Sequence, residues 1–297
     1  MDKSIKDLLL PQILGTLNAE RIFVGKGVVV EEDVLITGRN GPAEIVVLGD
    51  FCYIGRHTRI IVPEFRLGDY SKLHAFSYAN GDNPLRIGGN CWIGGNTVLD
   101  SMGGLDIDDN VGIGSHSQIW SHIQFGDVVE GCRFHSKKYM KIESDAWFVG
   151  HCIVSPVEVG KKSMAFAGSV ITKDMAPNRV YAGVPAMDIT DKVGPQFEGR
   201  STAEKARALQ TLIDEFVLEN VQFKNQLVVI QSSADVKRGV TCFDVSDRTY
   251  TKLYTPAEIR FLKKYVPLIK FIPRNEPSFI NAGQSFAAMP ETTSMVY

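Results

Sequence analysis

The chain has 297 residues, enough for one large domain or two ordinary ones with a sizeable buried core. Thirty-two Lys and Arg against 34 Asp and Glu leave a formal charge of −2, which argues against an electrostatic grip on nucleic acid. The longest apolar runs, such as Leu227–Ile230, are far too short to span a bilayer, and five cysteines without a CxxC pair read as reduced thiols of a cytoplasmic protein.

Residues 1–21, beginning MDKSIKDLLLPQIL, read as a short N-terminal helical segment rather than a secretory signal. Asp2 and Asp7 interrupt its cationic start, Pro11 breaks the apolar run, and no small-residue cleavage site follows.

From residue 22 to 190 an apolar residue recurs every six positions, in threes: Val24, Val30, Ile36; Leu48, Ile54, Ile60; Leu67, Leu73, Ala79; Ile87, Ile93, Leu99; Ile107, Ile113, Ile119; Ile142, Phe148, Val154; Val159, Ala165, Ile171. Four residues after each first and second beat stands a small or β-branched residue, among them Cys52, Cys91 and Cys152. One large and one small inward residue per six suits a short strand and a tight turn. Three such units close a triangular coil, and coils stack through parallel ladders about 4.8 Å apart. The three cysteines are then core fillers.

All irregularity falls between triplets: the steps from a third beat to the next first beat are 12, 7, 8, 8, 23 and 5 residues. Every insertion therefore leaves one corner of the prism, as expected of a binding cleft whose loops vary on a rigid scaffold. Three residues past the third beats stand Asp82, Met102 and His122, the last at the mouth of the longest insertion, 125–141. His116, His151 and His57 fall on a different corner and read as structural, while His74 follows a beat and points outward.

The pattern resembles the left-handed parallel β-helix of hexapeptide-repeat proteins; the handedness comes from that resemblance. Residues 163–189, with AGSVITKD (Ala167–Asp174) and AGVPA (Ala182–Ala186), resemble the last coil and exit loop of hexapeptide acyltransferases, similar to galactoside-, maltose- and xenobiotic-type O-acetyltransferases and sugar N-acetyltransferases. The resemblance implies acetyl-CoA as co-substrate, bound in a groove between subunits of a homotrimer, with no metal expected. It assigns donor contacts to Gly150, Ala167, Gly168, Ser169, Thr172 and Lys173. Gly168 would let a thin ligand approach the backbone and Lys173 would meet phosphate. It also implies a histidine base at a strand end where an extended loop leaves the coil, a place that His122 fills, with His135 in reserve. Asn96 and Asp100 resemble the N-x-T-x-L-D stretch of galactoside-type enzymes, with a spacing that departs by one residue. Asp82, Asn96, Asp100 and Glu130 are the candidate contacts to an acceptor sugar or nucleotide sugar. Two other readings remain at this point. One is a γ-class carbonic anhydrase-like zinc enzyme, whose paired histidines are usually five apart, whereas His116 and His122 are six apart. The other is a non-catalytic β-helix assembly module.

After Val193 the six-residue beat stops. Ser201–Glu204 forms a capping box ahead of a helix with Leu209, Leu212, Ile213 and Phe216 on one face. Residues 227–232 and 239–245 read as strands, and TPAE opens a second helix with Pro256 at its first position. The expectation is mainly β: about seven coils at 22–190, a small α/β domain at 198–273, and a polar tail at 274–297.

Overall fold

The computed structural model describes residues 5–274 and, beyond them, the strands Ile280–Asn281 and Ala287–Ala288. The chain divides into two compact units, Met1–Phe197 with Ser278–Met289, and Glu198–Pro277 with Pro290–Tyr297.

The first unit is a three-sided parallel β-helix, and the beats read from the sequence are its registers. Along the first face Val24, Leu48, Leu67, Ile87, Ile107, Ile142 and Val159 are successive Cα partners. The second face pairs Val30, Ile54, Leu73, Ile93, Ile113, Phe148 and Ala165. The third pairs Ile36, Ile60, Ala79, Leu99, Ile119, Val154 and Ile171. All of these residues are buried, as are the small residues four positions after the first and second beats, so the interior is a stack of large and small layers.

The ladder runs on past both ends of the expected coils. Among the described residues of the N-terminal segment, helix is confined to Ile5–Leu9. Gln12–Ile13 and Thr16–Leu17 already lie on the second and third faces, with Ile13 beside Val30 and Leu17 beside Ile36. The helical reading of residues 1–21 is thus corrected: Ile13, Leu17 and Val24 are beats spaced four and seven apart, outside the six-residue rule. At the other end Met175 and Tyr181 continue the first and second faces. Of the tail at 274–297, Arg274 and the two late strands lie within the described residues; Ile280–Asn281 pairs antiparallel with Ala19–Val24, and the rest lies outside them.

Two of the three corners are closed by one device. Three residues past the first-face beats from Leu48 to Met175 stand Phe51, Tyr70, Asn90, Asn110, Asp145, Lys162 and Asn178; three past the second-face beats from Val30 to Phe148 stand Asp33, His57, Phe76, Asn96, His116 and His151. All have φ between 51° and 65°. This left-handed conformation costs a side chain roughly 1–2 kcal/mol. From Phe51 onward each such turn also hands a backbone N–H to the coil before it, as His151 does to Ser115 O at 2.9 Å. The side chains stack into columns: Phe51 on Tyr70, His57 on Phe76 and His116 on His151. These histidines are turn residues. The third corner has no such turn, and all insertions leave there.

In the second unit Ser201 and Glu204 form the expected reciprocal capping box at the start of helix Thr202–Glu219, which buries Leu209, Ile213 and Phe216. Helix Pro256–Tyr265 is capped by Thr255. Strands Leu227–Ile230 and Thr241–Asp244 pair in parallel, Thr249–Tyr250 joins antiparallel, and Ile272–Pro273 closes a four-stranded sheet. Burial pushes the Glu258 carboxyl up in pKa, against hydrogen bonds from Leu253 N–H, the Thr241 hydroxyl and Tyr254 N–H that stabilise its charge.

Candidate active site

Asp100 and His122 meet at the insertion corner. Asp100 follows the buried beat Leu99 and ends strand Val98–Asp100, while His122 lies one coil on, three residues past Ile119. Asp100 is only 4% exposed, and its Oδ1 lies 2.8 Å from His122 Nδ1. The same oxygen accepts from Ser121 N–H at 3.0 Å and Ser121 Oγ–H at 2.7 Å. A carboxylate only accepts, so Nδ1 carries the hydrogen and the neutral ring keeps its lone pair on Nε2. Nε2 has no hydrogen-bond partner among the described residues, and the side chain is partly exposed. The Trp120 ring stands edge-on to the imidazole, centroids 6.5 Å apart. The arrangement is an imidazole held in one tautomer, with Nε2 unpartnered on a partly exposed side chain.

The long insertion returns as a hairpin. Its strand His122–Ile123 pairs antiparallel with Ser136–Lys137, placing Lys137 directly opposite His122. Lys138 N–H donates to Ser121 O at 3.0 Å, and Gly103 N–H donates to Ser121 Oγ at 2.9 Å. Ser121 thus ties together the carboxylate, the neighbouring coil and the returning hairpin. A Cβ built on Gly103 would stand 2.1 Å from Lys138 O, so glycine is what lets the hairpin lie so close. At the hairpin foot Tyr139 Oη–H donates to Asp106 Oδ2 at 2.6 Å. Burial and the Asp106 bond push the Tyr139 phenol up to about 12, so this tie stays protonated across the ordinary pH range.

The other expected acceptor contacts divide. Asp82 lies on the His122 corner, two coils away, with Arg39 Nη1 at 2.6 Å and Lys137 Nζ at 3.7 Å. The Arg39 bond is the chief cause holding its carboxyl below the usual range. Asp100 is turned to His122 and Ser121 rather than to the open corner. Asn96, at φ 58°, belongs to the turn column of another corner, and its N–H donates to Ala75 O. Glu130 and His135 are exposed on the hairpin and make no contact with His122 among the described residues. Arg39, Lys137 and Ser121 escape the motif reading. Counting three past Ile36, by the rule that reaches His122, would have found Arg39.

On the donor side, Gly150 and Gly168 lie in successive coils between the second and third faces, with Gly168 N–H bonded to Gly150 O at 2.9 Å. Gly168 ends the turn column in place of a side chain: its φ is 73° and a Cβ there would meet nothing within 4 Å. Ala167 and Gly168 are exposed, so backbone lies open to a thin ligand there, and Thr172 and Lys173 are exposed at the far end of strand Val170–Ile171. Ser169 differs from expectation. It is fully buried, with Oγ–H donating to Phe166 O at 2.6 Å, and packs the core.

The five cysteines are free thiols, four of them buried. Among the described residues no group of three or more His, Cys, Asp or Glu is arranged to hold a metal ion, and no helix is long and apolar enough to cross a membrane.

No family model matches the chain. A galactoside O-acetyltransferase of Escherichia coli (strain K12) is 32% identical over 120 residues, 39% of this chain and 57% of that protein. A provisionally named serine acetyltransferase of Schizosaccharomyces pombe is 30% identical over 111 residues, 37% of this chain and 39% of that protein. The chain thus spans less than two thirds of the length of either. The solved structure of AntD, an N-acyltransferase from Bacillus cereus in complex with dTDP and 3-hydroxybutyryl-CoA, superposes with a TM-score of 0.35 at 18% identity, covering 64% of this chain and 93% of that one. The six-residue coils stacked in register form a hexapeptide-type β-helix, and over part of its length the chain is similar to acetyltransferases.

Proposed function

We propose that the protein is an acyltransferase that moves an acetyl group from acetyl-CoA to a hydroxyl or amino group of a sugar or nucleotide sugar. The observation that carries this reading is the Asp100–His122 pair, which fixes the tautomer and leaves Nε2 open at the corner where every insertion gathers. The acceptor's oxygen or nitrogen attacks the thioester carbonyl while Nε2 takes its proton. The Asp100 carboxylate stabilises the imidazolium so formed. As the C–S bond breaks, the sulfur leaves with the electron pair and the imidazolium returns the proton to it. No covalent enzyme intermediate is needed, because the thioester is already activated. Base catalysis of this kind is worth about 10²–10⁴-fold.

The donor's pantetheine arm lies along Gly150, Ala167 and Gly168, where backbone is open, and its phosphates lie toward Thr172 and Lys173. The open space at Gly168 supports this placement. A homotrimer completes the cleft: Phe125, Val129 and Phe134 of the hairpin are almost wholly exposed in a single chain and suit burial against a neighbouring subunit.

The test is acetyl-CoA consumption, followed with a thiol reagent across amino sugars, simple sugars and nucleotide sugars, with calorimetric titration of acetyl-CoA. His122→Ala removes turnover and leaves acetyl-CoA affinity within a few-fold. No turnover with any acceptor together with no acetyl-CoA binding rejects the reading, and an active His122→Ala enzyme moves the base elsewhere, His135 first.

A further inference from the structure

The insertion corner carries more than a base. Arg39, Asp82, Met102 and His122 occupy equivalent places, each three residues past a third-face beat. Arg39 reaches along this column to Asp82 Oδ1 at 2.6 Å and to Met102 Sδ at 3.6 Å. Lys137 descends from the hairpin to the same carboxylate. In an antiparallel pair, opposed side chains share a face, so Lys137 starts beside His122 and ends two coils away. The carboxylate of Asp82 meets two cations, which leaves one positive charge in excess. The chain returning from the hairpin adds Arg133 and Lys138 to that sign, whereas Lys141 pairs with Asp108 at 3.4 Å. Asp82, Arg39 and Lys137 remain 42–49% exposed, so the charge faces the open corner.

We propose that Arg39 and Lys137, oriented by Asp82, form a subsite for an anionic group on the acceptor, a carboxylate or a phosphate, about 10 Å from the base. That separation is two ladder steps. It spans a hexose ring with one substituent, so a sugar whose reacting hydroxyl or amine meets His122 Nε2 brings a charged group on its far side to the cations. Arg39 keeps N–H donors beyond the one on Asp82 and can grip two oxygens at once, while Lys137 supplies a point charge. The subsite rests on the transferase reading and narrows its acceptor from sugars in general to acidic or phosphorylated ones. Asp82 then aims two cations, and is not the acceptor's own ligand.

The experiment titrates the full-length protein with matched sets of hexoses, each in neutral, uronic acid and 6-phosphate form. It uses wild type, Arg39→Gln, Lys137→Gln and the double variant, with acetyl-CoA titrated into every sample. Both substitutions lie at exposed side chains, and melting curves check the fold. The charged form of at least one sugar is expected to bind at least roughly tenfold more tightly than its neutral form. That advantage should shrink in about 0.5 M salt and disappear in the double variant. Acetyl-CoA affinity should stay within about twofold. The stronger of the two charged forms identifies carboxylate or phosphate as the group. Equal binding of charged and neutral forms in every set overturns the proposal, as does weaker acetyl-CoA binding in the double variant, which would give the cations to the donor. Retained acetyl-CoA binding with no charge preference rejects the subsite alone, whereas no acetyl-CoA binding by the wild type rejects the transferase reading beneath it.

Discussion

Asp100 and His122 are 22 residues apart in the chain, and their side chains meet at 2.8 Å. The contact exists because the coil turns each step of about twenty residues into a step of one ladder spacing. Asp100→Asn keeps the shape but lets an amide N–H face Nδ1, which favours the opposite tautomer and places a hydrogen on Nε2. Turnover is expected to fall on the order of 10²-fold or more, with acetyl-CoA affinity nearly unchanged. Steady-state kinetics beside calorimetry checks this, and a wild-type kcat in Asp100→Asn would remove the positioning role.

Gly168 stands where other coils carry His116 or His151, so a side chain is sterically tolerated by the turn itself. Gly168→Asn, a residue that accepts the left-handed region, is therefore expected to shift the Tm by no more than about 3 °C. It should weaken acetyl-CoA at least about tenfold, because it fills the open backbone surface. Unchanged affinity in the calorimeter would place the donor elsewhere.

Gly103 separates the Asp100 coil from the returning hairpin. In Gly103→Val the new Cβ collides with the Lys138 carbonyl, and backbone rather than a flexible side chain must move. The hairpin should detach locally. Hydrogen exchange at Lys138 should speed up at least about tenfold while the core amides of the coils stay protected. Turnover should fall, since Ser121 and Lys137 lose their places beside His122.

On the outer side of the first face, burial pushes the Glu64 carboxyl up, but hydrogen bonds from Arg86 and Arg66 outweigh it and hold it below the usual carboxylate range. A group whose folded pKa is depressed adds stability above its unfolded pKa and loses it as pH falls through the folded one. Glu64→Gln should therefore lower the Tm at pH 7 by about 2–4 °C. The gap to wild type should close as the pH is lowered below about 4. A gap that persists in acid would mean packing, not charge, is what the substitution removes.

Much of this could be read from the chain because one period governed it. The register of every beat from Val24 to Ile171 follows from six-residue spacing, and so does the burial of Cys52, Cys91 and Cys152. Ile13 and Leu17 were hidden because the first coil has a short link around Gly15 and a long one from Leu17 to Val24, which break the count. The Asp100–His122 bond was half visible: His122 was placed on the insertion corner and Asp100 directly follows the beat Leu99, but a side chain one residue past its beat had no stated direction until the turn was built. Asn96 was misplaced for the converse reason. Its motif suggested an acceptor contact, while its position, three past Ile93, meant a left-handed turn. The cation pair around Asp82 joins residues 39, 82 and 137, whose meeting depends on side-chain reach rather than on any repeat.

The two corners with left-handed turns have a practical consequence for anyone redesigning the molecule. A residue added between Ile93 and Leu99, or between Ile107 and Ile113, would throw every later coil out of register and expose its large layer to water. The third corner already absorbs links from 5 to 23 residues without disturbing the ladder. Foreign loops, tags or alternative recognition hairpins belong there and nowhere else on the prism, and exchanging 125–135 for another sequence should alter what the protein selects while leaving its melting behaviour to the coils.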